Sequence, residues 1–484
     1  MNIIDNVVAV LSPKAAYERL AYRMALAEQE KALAYDAAGY DRLNRNWNAR
    51  NEPAEWADQA DRDTVRARAR DMERNSDIMN SLVSAYKRNV YGAGYRLRAV
   101  TENSEINQKL EKLWQRWCKK QHCDVSGTQG FKALMRMAVE RKKIDGGIII
   151  LKCYTDDDFM PFKLQLIEVD MLDSMAQTPK HAGNRVSGGI ELDRYNKPVG
   201  YFLRQYSQDG MQTDEVKYYD AKDVIFYFTR HRPTQIREMS DMASSIPRIR
   251  DVTEFFRALS VKERIMACLS VFITKELPVS TGRINGGGAH PDREYQGKTL
   301  TPGMINYLNP GDKVNTVQPS GQSADAAQHI KQQLKLLGSG QGLSYEATSR
   351  DMSESNYSSA RQGAIEDELT YEEDVEQLME IMDEIYETFV ISAWLKGYIH
   401  AADFWQNKHA YFRHEWKKPP KKWIDPVKET NANKIALSTG QKTYADMAAE
   451  NGRDWREQID EIAEVQEYAK ARGVFIGEVS TNGS

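Results

Sequence analysis

Apolar side chains recur every three or four residues along several long stretches of the chain. The strongest stretch begins near Ser358 and ends near Lys396, and its apolar positions follow a 4-3-4-3-4 spacing: Tyr371, Val375, Leu378, Met382, Ile385 and Phe389. Because side chains at this spacing share one face of a helix, the pattern predicts a long amphipathic helix. The same reasoning predicts helices over residues 13–38, 61–90, 106–118, 131–142, 247–275, 323–337 and 425–472.

Between residues 146 and 228 the pattern changes to short apolar runs that are typical of β-strands. The runs are Ile148–Leu151, Phe162–Ile167, Gly200–Tyr206 and Val224–Phe228. They do not alternate with helices as the strands of a doubly wound sheet do. A strand is also predicted over residues 95–100, and two short β-type pieces at 304–308 and 313–317. The predicted fold class is therefore α+β.

Three stretches show neither the helical spacing nor the short apolar runs typical of strands. Residues 40–60 are polar and predict a loop or an arm. Residues 279–299 contain three consecutive glycines and predict a mobile loop. Residues 338–357 are rich in Gly and Ser and predict an irregular connection between two helices.

Composition narrows the class of protein. The 484 residues include 66 Lys and Arg against 70 Asp and Glu, for a net charge of −4. This balance argues against a protein that wraps nucleic acid by bulk positive charge. Four cysteines are too few for a disulfide framework. We find no signal-peptide pattern and no apolar run of the ~20 residues that a membrane span needs, so we expect a soluble protein that is cytosolic when made, with no membrane partner.

Charge is strongly segregated in the C-terminal half. The predicted helix from 358 to 396 carries eleven acidic residues, and no Lys or Arg lies between Arg361 and Lys396. Residues 408–422 then carry six Lys or Arg against one Glu. Two interpretations stay open at this point. The acids form a solvated face of an amphipathic helix, or they serve basic neighbours or a surface that lets DNA pass without holding it.

Nucleotide-binding motifs fail at identifiable positions. Gly297–Thr299 ends like a phosphate-binding loop, but the first glycine of that motif would fall at Asp292, whose charge repels phosphate. The glycines of Gly338–Gly342 are followed by Leu343, and no predicted strand precedes them as a dinucleotide fingerprint requires.

Metal and catalytic clusters are not supported by spacing either. His414 and Glu415 begin like a zinc-protease helix, but Lys418 stands where the second His is needed. Other groups fit ordinary surface or core residues better than metal ligands: Cys118, His122 and Cys123; Asp156–Asp158; and His400, Asp403, His409 and His414. We therefore predict no enzyme, no metal site and no cofactor.

Several ordered blocks resemble the lambda family of bacteriophage portal proteins. Residues 342–366 read GLSYEATSRDMSESNYSSARQGAIE and resemble a signature of that family, and residues 300–319 resemble the block before it. Arg232–Arg237 resembles the family's Arg-Pro-x-Gln-x-Arg motif, although Met242–Pro247 departs from the usual Gly-x-Pro start of the following helix. Residues 66–97 and 416–428 resemble further blocks, so the resemblance covers about residues 10–470.

The resemblance implies the portal fold, with seven parts along the chain. They are an α+β wing over 1–243, a stem helix over 244–275, a β-containing clip over 276–321, a second stem helix over 322–341, a tunnel loop over 342–357, a long, kinked, acidic wing helix with its following segment over 358–424, and a helical wing or crown region over 425–484.

Two sets of candidate functional residues follow from that plan. The tunnel loop would present Arg350, Asp351, Ser353, Glu354, Asn356 and Tyr357 to DNA. Such mixed polar side chains make weak contacts without reading bases, and a plain interhelical loop is the alternative. The clip would dock the terminase and then the tail through Tyr295, Lys298, Asn306, Asn309, Asp312 and Lys313.

The resemblance also implies a function. Portal proteins form a ring, usually of twelve copies, at one capsid vertex, and double-stranded DNA is packaged and later ejected through the ring without sequence readout. The ring nucleates assembly with the major capsid and scaffold proteins, docks the terminase large subunit and then head–tail adaptor or neck proteins, and hydrolyses nothing. The expected location is the virion, after assembly in the host cytoplasm.

Two other classes remain as alternatives. A DNA-processing enzyme would need one of the motifs that fail above. A capsid or tail scaffold without DNA contact would tolerate charge reversals in residues 350–356 with no effect on packaging.

Overall fold

The computed structural model describes residues 12–31, 49, 51–206, 212–268, 272–273, 306–307, 323–353, 356–419, 426–450, 453 and 455–474. The chain divides into two compact units, residues 1–57 and residues 58–484. Within the described ranges, no helix is both long enough and apolar enough to cross a membrane.

Helices account for most of the regular structure. They are α1 (Pro13–Lys31), α2 (Ala54–Gln59), α3 (Arg62–Asn75), α4 (Asp77–Tyr86), α5 (Ser104–Trp117), α6 (Lys120–Cys123), α7 (Phe131–Asp145), α8 (Ile246–Cys268), α9 (Ser323–Gly340), α10 (Tyr345–Ser349), α11 (Tyr357–Leu395), α12 (Lys408–Phe412), α13 (Pro426–Ser438), α14 (Tyr444–Glu450) and α15 (Trp455–Ala471). A π-helical turn, Lys87–Tyr91, continues α4.

The strands are short and mostly antiparallel. They are β1 (Arg96–Ala99), β2 (Gly147–Tyr154), β3 (Phe162–Ile167), β4 (Arg185–Ser187), β5 (Ile190–Leu192), β6 (Pro198–Tyr206), β7 (Gln212–Asp220), β8 (Val224–Phe228), β9 (Phe272–Ile273), β10 (Asn306–Tyr307) and β11 (His414–Lys417). The mixture of helices and antiparallel sheets confirms the predicted α+β class.

Two sheets are built from the middle of the chain. β2 lies between β3 and β8, with Ile150 opposite both Leu166 and Ile225. β4, β5, β6 and β7 form a meander in chain order. The four predicted runs in this region are confirmed as strands. β4, β5 and β7 were not predicted, because β4 and β5 are three residues long and β7 is largely polar.

β2 is buried on both faces because it separates two hydrophobic cores. Ile148 and Ile150 belong to the larger core, whereas Ile149 and Leu151 belong to the smaller one. Successive side chains of a strand point to opposite faces, so both sets must be apolar. This placement explains why the sequence here is a continuous apolar run and does not alternate.

The long amphipathic helix predicted from apolar spacing is confirmed as α11, which has 39 residues. All six of its predicted apolar positions are buried. Trp114 of α5 packs against this face, with its ring 5.1 Å from that of Phe389 and 5.7 Å from that of Tyr386, both edge to face. Aromatic pairs favour this geometry, so α5 and α11 form the centre of the larger core.

The helix predicted over 247–275 is wrong at its C-terminal end. α8 is described to Cys268, and Phe272–Ile273 forms β9, which pairs in parallel with β10. Residues 271–274 read Val-Phe-Ile-Thr, and β-branched and aromatic residues favour strands. The β-type piece at 304–308 is confirmed by β10, whereas the piece at 313–317 and the loop at 279–299 lie outside the described residues.

The remaining helix predictions are confirmed with refinements. The helix predicted over 61–90 is two helices, because Ser76 adopts an extended conformation and caps α4 with its hydroxyl group. The described residues between 426 and 472 form three helices, and the end predicted at residue 38 for the first helix lies outside the described residues. The prediction of a loop or arm over 40–60 is wrong for Ala54–Gln59, which form α2.

Candidate functional site

The candidate segment, residues 341–357, connects α9 to α11. Its first half is ordered, so the prediction of an irregular stretch over 338–357 is wrong there. α9 continues to Gly340, and Tyr345–Ser349 forms α10. The Ser344 hydroxyl accepts a hydrogen bond from the Ala347 amide at 3.1 Å, which satisfies a donor that the start of a helix leaves unpaired.

A buried carboxylate fixes this segment to α11. The Ser344 amide and hydroxyl donate hydrogen bonds to the two carboxylate oxygens of Asp367 at 2.6 and 2.7 Å. The Thr370 hydroxyl donates to the Gly342 carbonyl at 2.6 Å. Gly342 has a φ of 68°, and a Cβ there would lie 2.8 Å from the Thr370 Oγ1 atom, so only glycine fits.

Further bonds tie the segment to α4 and to the residues before α8. The Tyr86 hydroxyl donates to the Gln341 carbonyl at 2.6 Å, and the Gln341 side-chain amide donates to the Ser245 hydroxyl at 2.9 Å. The Ser81 hydroxyl donates to the Thr348 carbonyl at 2.8 Å. The segment therefore leaves α9 from a defined position.

Residues 350–353, in the second half of the segment, are exposed and carry mixed charge. Arg350, Asp351 and Ser353 are all exposed, and Arg350 adopts a left-handed conformation with a φ of 59°. The Ser353 amide donates to Asp351 at 3.0 Å. Hydrogen bonds from the Ser353 side chain and backbone hold the pKa of Asp351 below its ordinary value, so this carboxylate is ionised at neutral pH. Residues 350–353 thus offer one cation, one anion and a hydroxyl to their surroundings.

The predicted tunnel-loop residues are only partly brought together. Arg350, Asp351 and Ser353 are neighbours on the exposed turn, whereas Asn356 caps α11 by accepting the Ser359 amide at 2.8 Å. Tyr357 is the first residue of α11, and Glu354 lies outside the described residues. Of the predicted clip residues, Asn306 lies in β10. The others are outside the described residues: Tyr295, Lys298, Asn309, Asp312 and Lys313.

Two lysines near this segment were missed in the sequence. Lys331 and Lys335 of α9 place their ammonium groups 5.6 and 5.8 Å from the centre of the Tyr345 ring. Residues four apart share a helix face, so their spacing on a predicted helix was an available signal. They add positive charge beside the candidate segment.

A buried cluster of four charges holds the end of α7 against α11 and the residues before α8. The Lys142 Nζ atom lies 2.6 Å from Asp374 and 2.9 Å from Asp241, and the Lys143 Nζ atom lies 2.7 and 3.0 Å from the same carboxylates. Burial opposes charge on Asp374, but the two lysines hold its pKa below the ordinary value. Burial likewise opposes charge on Lys143, and the two carboxylates raise its pKa above the ordinary value. Asp374 and Lys143 are therefore both charged at neutral pH.

The Arg-Pro-x-Gln-x-Arg motif has a structural role of the same kind. Arg237 is buried and donates to Glu238 at 2.7 Å and to the Gly188 carbonyl at 2.7 Å. Glu238 is fully buried and also accepts from Arg66 of α3 at 3.0 Å. The motif thus holds α3 and the turn between β4 and β5 together.

The acids of α11 serve different roles at different positions. A basic neighbour is confirmed at Glu384, which lies 2.6 Å from the Lys152 Nζ atom. Asp383 accepts hydrogen bonds from the His414 and Trp416 side chains at 2.9 and 2.6 Å. The centre of the exposed face, which points away from the buried face, lacks such basic partners among the described residues. Five glutamates there are exposed and form no ion pair with the described residues: Glu366, Glu373, Glu376, Glu380 and Glu387.

Several of the side chains considered as metal ligands are engaged in ordinary contacts. The Cys123 thiol donates to the Cys118 carbonyl, and burial raises its pKa to about 12, which disfavours the thiolate that metals bind. Asp403 accepts from Tyr411 at 2.7 Å. Across the described ranges, no group of three or more His, Cys, Asp or Glu residues is arranged to hold a metal ion.

Comparison with known proteins identifies relatives over most of the chain. The family model described as phage portal protein, lambda family, matches residues 40–374. A probable portal protein of Halomonas phage phiHAP-1 is 24% identical over 457 residues, covering 91% of this chain and 87% of the relative. Portal protein B of Escherichia phage lambda is 19% identical over 467 residues, covering 87% and 86%. A chain from the neck of a native gene transfer agent particle, computed with C12 symmetry, aligns with 12% identity and a TM-score of 0.42, covering 81% of this chain and 93% of that one.

Proposed function

The chain belongs to the lambda family of phage portal proteins, and we propose that it forms a ring of twelve copies at one capsid vertex. Double-stranded DNA is packaged and later ejected through this ring without sequence readout. The family match over residues 40–374 is the observation that carries the proposal.

Exposed apolar side chains on α8 and α9 support assembly. Phe255, Phe256 and Val261 of α8 are 37%, 39% and 44% exposed, and Leu336 of α9 is 47% exposed. The two helices lie side by side, since the Phe255 and His329 rings are 5.4 Å apart. Large apolar side chains that stay exposed in clusters mark surfaces that another protein covers. We assign them to contacts between neighbouring copies.

In this proposal, each segment of the chain corresponds to one part of the portal. α8 and α9 are the stem, residues 1–243 the main part of the wing, residues 276–321 the clip, and residues 358–424 with 425–484 the rest of the wing and the crown. The exposed turn of residues 350–353 lies in the tunnel loop, 342–357, and faces DNA, with Lys331 and Lys335 behind it. The clip binds the terminase large subunit and later the head–tail adaptor or neck proteins.

The proposed role is structural and not enzymatic. The portal nucleates assembly together with the major capsid and scaffold proteins, in the host cytoplasm, and then stays in the virion at the portal vertex. Energy for DNA movement comes from the terminase in this scheme. The residues of the chain contribute a passage and docking surfaces.

The mass of the purified particle in solution tests the ring. We expect a twelve-fold assembly with an axial hole in electron micrographs. A monomer or dimer under every assembly condition would contradict the proposal.

A charge reversal tests the DNA-facing turn. Asp351→Lys combined with Glu354→Lys should leave ring assembly intact and lower the DNA content of particles, because added cations bind the phosphates that must slide past. The matched control is Glu464→Lys with Glu467→Lys, which makes the same charge change on the exposed surface of α15. Unchanged DNA content in the loop variant would remove the tunnel-loop assignment and leave the ring untouched.

A further inference from the structure

We propose that the exposed acidic face of α11 binds the exposed basic face of α5 in the neighbouring copy of the chain. This inference rests on the proposed ring and names a contact within it. The acidic face consists of Glu366, Glu373, Glu376, Glu380 and Glu387. The basic face consists of Lys109, Lys112, Arg116, Lys119 and Lys120, of which Lys119 lies between α5 and α6 and Lys120 begins α6.

The acidic face is a continuous stripe. Glu366, Glu373, Glu380 and Glu387 recur at intervals of seven residues, and Glu376 lies between them, so all five point within roughly 80° of one another around the helix. Glu376 and Glu380 are four residues apart, and like charges at this spacing cost a few tenths of a kcal/mol each. The stripe is therefore self-repelling in a single chain, and a cationic partner would relieve that repulsion.

Two apolar residues show that this stripe is suited to a protein partner. Ile365 and Leu369 lie on the same side of α11 and are 46% and 57% exposed. A surface whose only task is to repel DNA or to contact water does not need them. Apolar side chains bordered by charged ones are the usual composition of a protein interface, with its apolar centre and polar rim.

The basic face offers matching chemistry. Lys109, Lys112 and Arg116 follow a spacing of three and four residues, and all are exposed. Among the described residues they form no ion pair, although the Arg116 guanidinium lies 4.1 Å from the centre of the Phe159 ring. Glu105 shares this side of α5, so the net charge of the face remains positive.

The two faces point away from each other. On α5 the buried residues Leu110, Trp114 and Trp117 form the opposite side of the helix, and Trp114 packs on Tyr386 and Phe389, which form the buried side of α11. Because each helix turns its buried side towards the other, the two charged faces are directed outwards, away from the contact between α5 and α11. A ring of identical contacts needs two different, complementary surfaces on each subunit, and these helices provide such a pair.

Charge-reversal variants in mixed assembly test the contact. The acidic-face variant is Glu373→Lys with Glu380→Lys, and the basic-face variant is Lys109→Glu with Lys112→Glu. Each alone should need at least tenfold more subunit to form rings, because like charges then meet at every contact. An equimolar mixture should restore assembly, since the two variants can alternate around a ring with an even number of copies.

Controls separate this contact from the ring itself. Glu464→Lys with Glu467→Lys makes the same charge change elsewhere and should assemble like the wild type. Raising the salt concentration from 0.15 to 1 M should weaken assembly of the wild-type chain, since exposed charges are screened. A wild-type ring that is indifferent to salt would overturn the contact without any variant.

The remaining outcomes are also decisive. If either variant assembles alone like the wild type, or if the mixture of two folded variants does not recover, the contact is overturned and the ring stands. Normal rings of the acidic-face variant that lose DNA would assign this face to DNA and overturn the contact. If the wild-type chain forms no ring at all, the proposed function fails and this inference fails with it.

Discussion

α11 and α8 are both long helices with apolar residues at helical spacing, yet they differ in what covers those residues. In α11, Leu378, Met382 and Phe389 are fully buried by the rest of the same chain. In α8, Val252 is the last buried residue among the side chains described, which reach Arg264, and Phe256 one turn later is 39% exposed. Apolar spacing therefore predicts that a helix forms, but it does not say whether the cover comes from the same chain or from another copy.

The difference follows from the number of elements around each helix. α11 is packed by α5 and by the aromatic side chains of the β1–β11 ribbon. Among the described residues, α8 packs on α3 and α4 and places Ile249 in the larger core, while further along Phe255 lies beside His329 of α9. A helix with one neighbour cannot bury a full apolar face.

The largest expected effect on stability comes from α11, whose apolar face is buried. Phe389→Ala should lower the free energy of unfolding by about 4 kcal/mol, because it leaves a cavity among the rings of Trp114, Trp117 and Tyr386. Urea unfolding of the unassembled chain measures it. Leu395→Ala, at a position 67% exposed at the end of the same helix, is the control and should change stability by less than about 0.5 kcal/mol.

The second largest effect on stability should come from the buried charge cluster that includes Asp374 of α11. Asp374→Ala should lower the free energy of unfolding by about 3 kcal/mol, since Lys142 and Lys143 then share Asp241 alone in a buried site. Glu373→Ala removes the exposed carboxylate next to it and should have almost no effect in the same urea assay. Equal losses in both variants would mean that the buried cluster does not stabilise the fold.

The effect of pH on stability should be smaller than the effect of Asp374→Ala. Its direction follows from the pKa shifts of the buried cluster. The pKa of Asp374 is lower in the folded chain than its ordinary value of 3.8, so its contribution is present above that value and is lost as the pH falls. The pKa of Lys143 is raised, so its contribution is lost only as the pH rises through the raised value. We expect the difference in unfolding free energy between wild type and Asp374→Asn to shrink from pH 6 to pH 3. A constant difference would contradict the assignment.

The smallest effect on the stability of the unassembled chain should come from α8, whose apolar side chains are partly exposed. Phe256→Ala should lower the free energy of unfolding of the unassembled chain by less than about 1 kcal/mol, because this side chain is already partly in water. It should nevertheless raise the subunit concentration needed for rings, which sedimentation measures. Rings that form as readily as before would show that α8 is not covered by a neighbour at this position.

The sequence predicted elements whose signal is local. The apolar spacing of α11 and the four apolar runs at β2, β3, β6 and β8 were sufficient, since each pattern lies within one element. The family resemblance indicated the segment between α9 and α11. The helical turn at Tyr345–Ser349 was missed, because Gly and Ser dominate its surroundings and its stability comes from Ser344 and Asp367, which are 23 residues apart.

Contacts between distant residues could not be predicted. Lys142, Lys143, Asp241 and Asp374 come from three separate parts of the chain, and nothing in the order of residues indicates that they meet. The same holds for the division of the α11 acids. Their number was visible, but whether a given carboxylate is paired depends on Lys152 or His414, which only the fold brings close.

The β1–β11 ribbon has a consequence for synthesis. Ala99 pairs with His414, so β1 leaves the ribosome roughly 300 residues before its partner strand exists. At typical translation rates of about 5–20 residues per second, that interval lasts on the order of tens of seconds. Throughout it the Trp114 ring lacks Trp416, and the larger core stays incomplete. Completion of the subunit therefore waits for its C-terminal quarter, which delays the appearance of assembly-competent surfaces on nascent chains emerging side by side from one messenger RNA.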